Sequence, residues 1–482
     1  MVGGARADSA AVAPVAVNRA ADILPAPGDL SAAPAALVTR TLTGTRDLLL
    51  PAASNPARYP GLLESVVRGT AQSRYDILFA FPQAALVLDA DGVLHDGVGQ
   101  VIGGSFLDAL DARWLAERSG NAPDGLPFHG GWVLFLAYEL VGEIEPRLQR
   151  QRRAELPVAL ALRCPAAVIV DHLRGCTILL AEGDDESLLD QLQADLEAST
   201  PLLPLPALAH WREDAAQDFL DGVQCIHGYL EAGDVFQVNL SRAWQVGYAE
   251  PPGAASMYGA LRTANPAPFA GLLQQPAWSL VSSSPERLVE VRRGVAQIRP
   301  IAGTRPRLPH DDDPARIHEL RTHPKERAEH VMLIDLGRND LGRVCVPGTV
   351  QVDELMTVES YVHVHHMVSN VRGHLRAEVT PGAVIAATFP GGTITGCPKV
   401  RCMEIIAELE TASRGAYTGA LGYLDRNGDL DLNILIRSLT LVGNDVTLRA
   451  GAGIVADSVA AQELEETRAK ARGLLRALGV PD

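Results

Sequence analysis

Between Leu421 and Val455 three apolar runs are divided by two tight turn signals, and that spacing permits few arrangements. The runs are LGYLD (421–425), ILIRSLTLV (434–442) and VTLRAGAGIV (446–455), with RNGD and GND between them. Glycine beside Asn or Asp supplies the positive backbone angle of a short hairpin, and so short a connection joins antiparallel neighbours. ILFAF (77–81), ALVLDADGVL (85–94), GWVLFLAYEL (131–140), AAVIVDHL (166–173) and VFQVNLSRAW (235–244) also read as strands. Helical spacing separates some of them: Phe219, Val223, Ile226 and Leu230 share one face, and Gly233 stops that helix. The fold class is α+β, mixed helix and largely antiparallel sheet, without regular βαβ alternation.

A chain of 482 residues has room for two lobes around a sizeable core. Residues 1–36 are rich in Ala, Pro and Val, and Pro14 breaks the only apolar stretch, so they read as a flexible leader. Residues 37–200 form an N-terminal lobe, and 201–210, with three prolines, a linker. Residues 211–482 form the second, catalytic lobe. A net charge of −16 argues against nucleic acid as a partner, since phosphate backbones require a basic surface. No apolar run approaches the ~20 residues of a membrane helix. The six cysteines lack the close pairs of a zinc site and read as reduced thiols in a cytoplasmic protein.

FPGGTITGCPKVR (389–401) is the stretch with most chemical promise. Glycines let a ligand approach the backbone, Thr393 and Thr395 carry hydroxyls, and Pro398 opens a helix whose first amides lack internal partners. Such an array suits an anion. Cys397 and Pro398 stand where a phosphate loop has Lys and Ser/Thr, so a carboxylate fits better than a phosphate.

Two helices each carry Glu-x-x-Glu. Glu326 and Glu329 lie on one, with Val331, Leu333, Ile334 and Leu336 as its expected buried side; Glu463 and Glu466, with Lys470, lie on the last. Taken singly, each pair reads as a solvated face. Together they would offer a magnesium ion the oxygen ligands it prefers. Glu286, His366 and Tyr417 have chemical potential but weak local signals. Arg437, inside an apolar strand, needs a partner, either a structural salt bridge or a substrate carboxylate.

GDVFQVNLSR (233–242), SSSPER (282–287), RPIAGTRPR (299–307), KERAEHVMLIDLGRNDLGRV (325–344), PGGTITGCPKVRCMEII (390–406), AGAGIVADS (450–458) and EETRAK (465–470) occur in one order. In this the chain resembles the chorismate-utilising enzymes, strongly from Trp211 to Leu478 and weakly before. The resemblance implies a two-lobed chorismate-binding fold, large antiparallel sheets in a sandwich flanked by helices. It implies Mg2+ on Glu329 and Glu466, with Glu326 and Glu463 nearby or acting through water. Thr393, Tyr417, Arg437, Gly453 and Lys470 would hold substrate carboxylates, Glu286 would protonate the departing C4 hydroxyl, and His366 would line the ring. Gln237 stands where isochorismate synthases have a water-activating lysine, which favours an ammonia-using enzyme.

Within the family, SRYDILFAFP (73–82), NPAPFAGLL (265–273), VHHMVS and PGGTITG look like aminodeoxychorismate synthase component I, whereas LLES (62–65) is anthranilate-like. Ala302 replaces the lysine of PIKGT, as in anthranilate synthases. On the number of motifs, the expectation is Mg-dependent amination of chorismate to 4-amino-4-deoxychorismate, for 4-aminobenzoate and folate. The alternative is anthranilate synthase component I, which releases anthranilate and pyruvate for tryptophan. A non-catalytic chorismate-binding regulatory subunit is the reading of another class. The chain has no recognisable glutaminase cysteine, so a glutamine amidotransferase partner is expected to supply ammonia.

Overall fold

The hairpin at RNGD forms as read: Ala420–Asp425 pairs with Leu430–Ile434, Leu424 opposite Leu430, and Gly428 has φ +90°. The next run does not form one strand. Leu430–Ile434 belongs to one sheet and Ser438–Val442 to another, and the chain crosses between them at Leu435–Arg437. A second crossing runs alongside, where Ser279–Ser284 of one sheet leads through Pro285 and Glu286 into Arg287–Arg292 of the other.

The computed structural model describes residues 36–67, 73–120, 125–148, 156–184, 186–198, 200–307, 313–360 and 364–481. Apart from Ala36, the expected leader lies outside them. Among the described residues there is one sheet of twelve strands and one of eleven, with antiparallel pairing. Both lobes contribute to both sheets. Gly61–Glu64 pairs with Phe269–Gln274 in one, and Gly131–Leu136 with Ala420–Asp425 in the other. The linker expected over 201–210 is irregular as far as Ala207, and Leu208–Glu213 already pairs with Gln237–Tyr248.

Alternating side chains explain the layers. Phe79, Ile169 and Leu280 of one sheet meet Phe135, Leu162 and Leu421 of the other in a buried apolar layer. Fully burying such side chains contributes roughly 1.5–3 kcal/mol each. Helices cover the outer faces: Ala254–Ala264 and Ala460–Ala477 on one sheet, Phe106–Glu117 and Pro381–Thr388 on the other. The helix Ala216–Glu231 buries Phe219, Val223 and Ile226, and Gly233 follows it with φ +77°.

The helix Pro324–Gly342 differs from the sequence reading in its buried stripe. His330, Leu333, Ile334, Asp340 and Leu341 are buried, while Val331 is 48% exposed. Spacings of three and four from His330 set the inward face, and Val331 falls off it. No described helix is long and apolar enough to cross a membrane.

Candidate active site

The two crossings bring Glu286 and Arg437 side by side. The Ile434 N–H donates to the Glu286 carbonyl at 3.0 Å, and the Ser283 N–H to the Arg437 carbonyl at 3.1 Å. Arg437 has φ +54°, a conformation that costs a non-glycine residue energy and recurs at functional sites. It is thus at a bend between sheets, not inside the strand expected from sequence. Among the described residues its guanidinium has neither an ion pair nor a side-chain hydrogen bond. That removes the structural salt bridge as its explanation.

Arg437 is the electrostatic centre of the site. Burial lowers its pKa, while Tyr417, Glu466 and Glu286 raise it. It also disfavours the charged form of His366, whose pKa burial pushes down to about 4 despite an opposing effect from Glu359. His366 is therefore neutral at physiological pH. Glu286 is buried, and loss of solvation raises its carboxyl to about 7 against the pull of Thr393 and Arg437. The Thr393 hydroxyl lies beside that carboxyl and favours its ionised form, but its alignment falls short of a hydrogen bond. A cavity of ≈ 20 Å³, room for one water, adjoins Glu286, Thr393, Gly391 and Asp340.

Thr395 does not face a ligand. Its hydroxyl donates to the Gly391 carbonyl at 2.9 Å and closes the glycine turn on itself. Beyond the turn, Gly396 and Cys397 pair with Val238 and Gln237, and the helix Lys399–Leu409 begins after Pro398. Lys399 is held by Asp340 at 2.7 Å.

Tyr417, Gly453 and Gln237 are joined through Asn239 into one continuous wall. The Tyr417 hydroxyl is 3.5 Å from Asn239 Oδ1, and Asn239 pairs with Gly453. A Cβ at 453 would collide with Gln237 Nε2, and one at 451 would stand 2.7 Å from the Tyr417 hydroxyl. Glycine keeps that wall open. Lys470 donates to the Gly451 carbonyl at 2.9 Å and pairs with Glu466 at 2.6 Å.

The four glutamates expected at a metal do not form one cluster. Glu326 pairs with Arg305 at 2.7 Å, beneath Gly303, where any side chain would strike its carboxylate. Glu463 accepts from the Ser458 hydroxyl at 2.7 Å, and Glu466 pairs with Lys470. No group of three or more His, Cys, Asp or Glu residues among the described ones is arranged to hold a metal. Glu329 is half-buried on its helix. The donors are all carboxylate oxygens, which fits magnesium, an ion that takes one or two protein carboxylates and keeps several waters.

Residues 71–476 match the model of the chorismate binding enzyme family. The chain belongs to that family. It is 44% identical over 382 residues to an anthranilate synthase component I-like protein of Synechocystis sp., covering 78% of each chain. It is 38% identical over 464 residues to the anthranilate synthase component 1 of Synechocystis sp., covering 87% of this chain and 91% of that one. Among solved structures, anthranilate synthase component I of Streptococcus pneumoniae superposes with a TM-score of 0.75 at 32% identity, covering 85% of this chain and 93% of that one. The sandwich of antiparallel sheets flanked by helices is this family's fold.

Sequence reasoning missed the buried charges behind the site. Arg414, Glu410 and Arg449 are each less than a tenth exposed. Arg414 sits in SRGAY and Glu410 ends a helix, where no periodicity marks them. A larger cavity of ≈ 520 Å³, bordered by Glu64, Arg74, Arg287, Arg292 and Asp431, contains none of the expected site residues.

Proposed function

We propose that the chain is the chorismate-using component of an anthranilate synthase. The observation that carries the reading is Glu286 beside Arg437: a buried acid whose pKa lies near 7, next to a guanidinium with no counter-ion among the described residues. Chorismate carries carboxylates for Arg437, Tyr417 and Lys470, and a ring hydroxyl that leaves only if protonated. Ammonia bonds to C2 while Glu286 gives its proton to the departing C4 hydroxyl, which leaves as water. Loss of the C2 proton with cleavage of the enolpyruvyl C–O bond then gives anthranilate and pyruvate. His366 is neutral and so able to accept a proton. Glu329 and Glu466 would hold a magnesium ion, which would supply positive charge toward a substrate carboxylate.

The names of the relatives support this product over 4-amino-4-deoxychorismate, which the count of motifs favoured. Ala302 agrees, being buried and without a nucleophile. Ammonia would come from a separate glutamine amidotransferase. Cys164 and Cys402 are buried thiols pushed up to about 12, unlike the activated thiolate of a glutaminase.

4-Amino-4-deoxychorismate is the second reading, and the motifs SRYDILFAFP (73–82), NPAPFAGLL (265–273) and VHHMVS (364–369) favour it. The pure protein, incubated with chorismate, magnesium and ammonium, decides between them by product mass and fluorescence. Anthranilate with equimolar pyruvate supports the first reading, and accumulated 4-amino-4-deoxychorismate moves the assignment to the second. Chorismate bound but never consumed would leave a regulatory subunit.

A further inference from the structure

We propose that Arg414 is a positioning residue that fixes three walls of the chorismate site at once and so sets affinity for the substrate. This rests on the chorismate-binding reading above. A guanidinium has five N–H bonds in a fixed plane, and here all five are used. Nε donates to Glu410 Oε2 at 3.0 Å, and Nη2 to Glu410 Oε1 at 2.6 Å and to the Asn239 carbonyl at 2.8 Å. Nη1 donates to the Ile394 carbonyl at 3.2 Å and the Thr418 hydroxyl at 3.3 Å.

Each of the last three partners adjoins a position with an expected substrate role. Ile394 follows Thr393 in the glycine turn, Thr418 follows Tyr417, and Asn239 pairs with Gly453 across the strands. Thr418 has φ +64°, so its segment needs an outside hold to keep that conformation. The guanidinium also lies 5.5 Å from the Tyr417 ring centre and 4.9 Å from that of Tyr138. One planar group thereby ties together a strand, a turn and a loop.

Glu410 locks the guanidinium in turn. Besides Arg414 it accepts from the Ser241 N–H and hydroxyl, both at 2.9 Å, and from Arg449 Nη2 at 3.1 Å. One carboxylate thus holds two guanidiniums, and the surplus positive charge lies buried behind a pocket for a dicarboxylate. Lysine at 414 would keep the charge but project its three N–H bonds from a single atom. It could not hold Asn239 and Ile394 while engaging both Glu410 oxygens.

The test compares wild type, Arg414→Lys, Tyr417→Phe and the double variant. Chorismate dissociation constants are measured by titration calorimetry with magnesium present, alongside kcat and the thermal midpoint. Arg414→Lys is expected to weaken chorismate binding about ten-fold with little change in kcat. Its effect should be non-additive with Tyr417→Phe, because the two would act through the same wall. Wild-type affinity in Arg414→Lys, or strict additivity, overturns the positioning role. A lowered thermal midpoint with unchanged affinity marks a purely structural arginine. Ser241→Ala gives a second measurement if the lysine variant does not fold. It loosens Glu410 and Arg449 without removing charge, and about three-fold weaker binding is expected; unchanged binding again overturns the role. A wild-type protein that binds no chorismate would instead remove the functional reading beneath it.

Discussion

Glu286 and Arg437 occupy neighbouring crossings between two antiparallel sheets, fixed by backbone bonds from Ile434 to Glu286 and from Ser283 to Arg437. Ladder strands on either side over-determine the two bends, so an acid and a base can stand together without forming an ion pair. Direct contact with the guanidinium would have lowered the Glu286 pKa further. Burial instead keeps it near 7, where the group can give up a proton.

That value makes a pH prediction. Glu286 must be protonated to act, so kcat/KM for chorismate, corrected for the fraction of free ammonia, should fall as pH rises through about 7. Glu286→Gln should lower kcat by about 10²–10⁴ while chorismate affinity holds. A variant turning over at the wild-type rate would exclude Glu286 as the acid.

Stability provides an independent check with its own sign. The folded pKa of about 7 lies above the ordinary 4.5, so the contribution is intact below pH 4.5 and is lost as pH rises through 7. Glu286→Gln removes that loss. At pH 8 the variant should be more stable than wild type, by up to about 3 kcal/mol, with the gap closing near pH 4.5. Glu64 and Glu139 are also raised to about 7, so the comparison must be wild type against variant, not one curve alone. Denaturant melts at the two pH values read it directly, and a constant gap would locate the raised carboxyl elsewhere.

Arg437 predicts a split between binding and stability. Its positive φ favours glycine, and among the described residues its guanidinium has no partner to lose. Arg437→Gly should weaken chorismate binding by about ten-fold or more, the worth of a charge-assisted hydrogen bond. The thermal midpoint should stay at or above the wild-type value. If the variant melts well below wild type, Arg437 is a structural residue and its place in the substrate pocket falls.

Much of the fold was legible because its strands are short apolar runs, buried on both faces, and its hairpins carry glycine beside Asn or Asp. The site was legible in composition but not in geometry. Nothing in ILIRSLTLV marks the change of sheet at Arg437, because an apolar run suits strands of either sheet. Thr395 looks like a ligand hydroxyl until Gly391 is seen to accept from it. Glu326 looks like a metal ligand until the fold brings Arg305 from a distant strand. Arg414 was invisible for the same reason: its partners Asn239 and Ile394 lie far off in sequence.

The glutamates are expected to divide by partner. Glu329→Gln and Glu466→Gln should each weaken magnesium binding at least about ten-fold, as loss of a direct carboxylate does. Glu326→Gln should change it less, because the resemblance puts that side chain outside the direct ligands and Arg305 holds it. Its main cost should be thermal, since Arg305 would lose a half-buried partner. Calorimetric titration with magnesium, with and without chorismate, separates the two classes. Equal losses for Glu326→Gln and Glu329→Gln would place Glu326 at the metal and make the Arg305 pair a secondary feature.

The last prediction concerns nitrogen. The cavity of ≈ 20 Å³ beside Glu286 has room for one water-sized molecule, which suits ammonia as the nitrogen source. The isolated chain should therefore convert chorismate with high ammonium at alkaline pH, where free ammonia is abundant, and give nothing with glutamine. Cys225 is the exposed thiol among the described cysteines, and it lies on the helix Ala216–Glu231, not among the site residues. Adding a glutamine amidotransferase should confer glutamine-dependent turnover at neutral pH, where Glu286 is still partly protonated and free ammonia is scarce. The alkaline assay works against the acid, so the ammonium rate should peak between the two titrations and not at the highest pH. Glutamine-dependent product from the chain alone would refute the partner requirement, whatever the product proves to be.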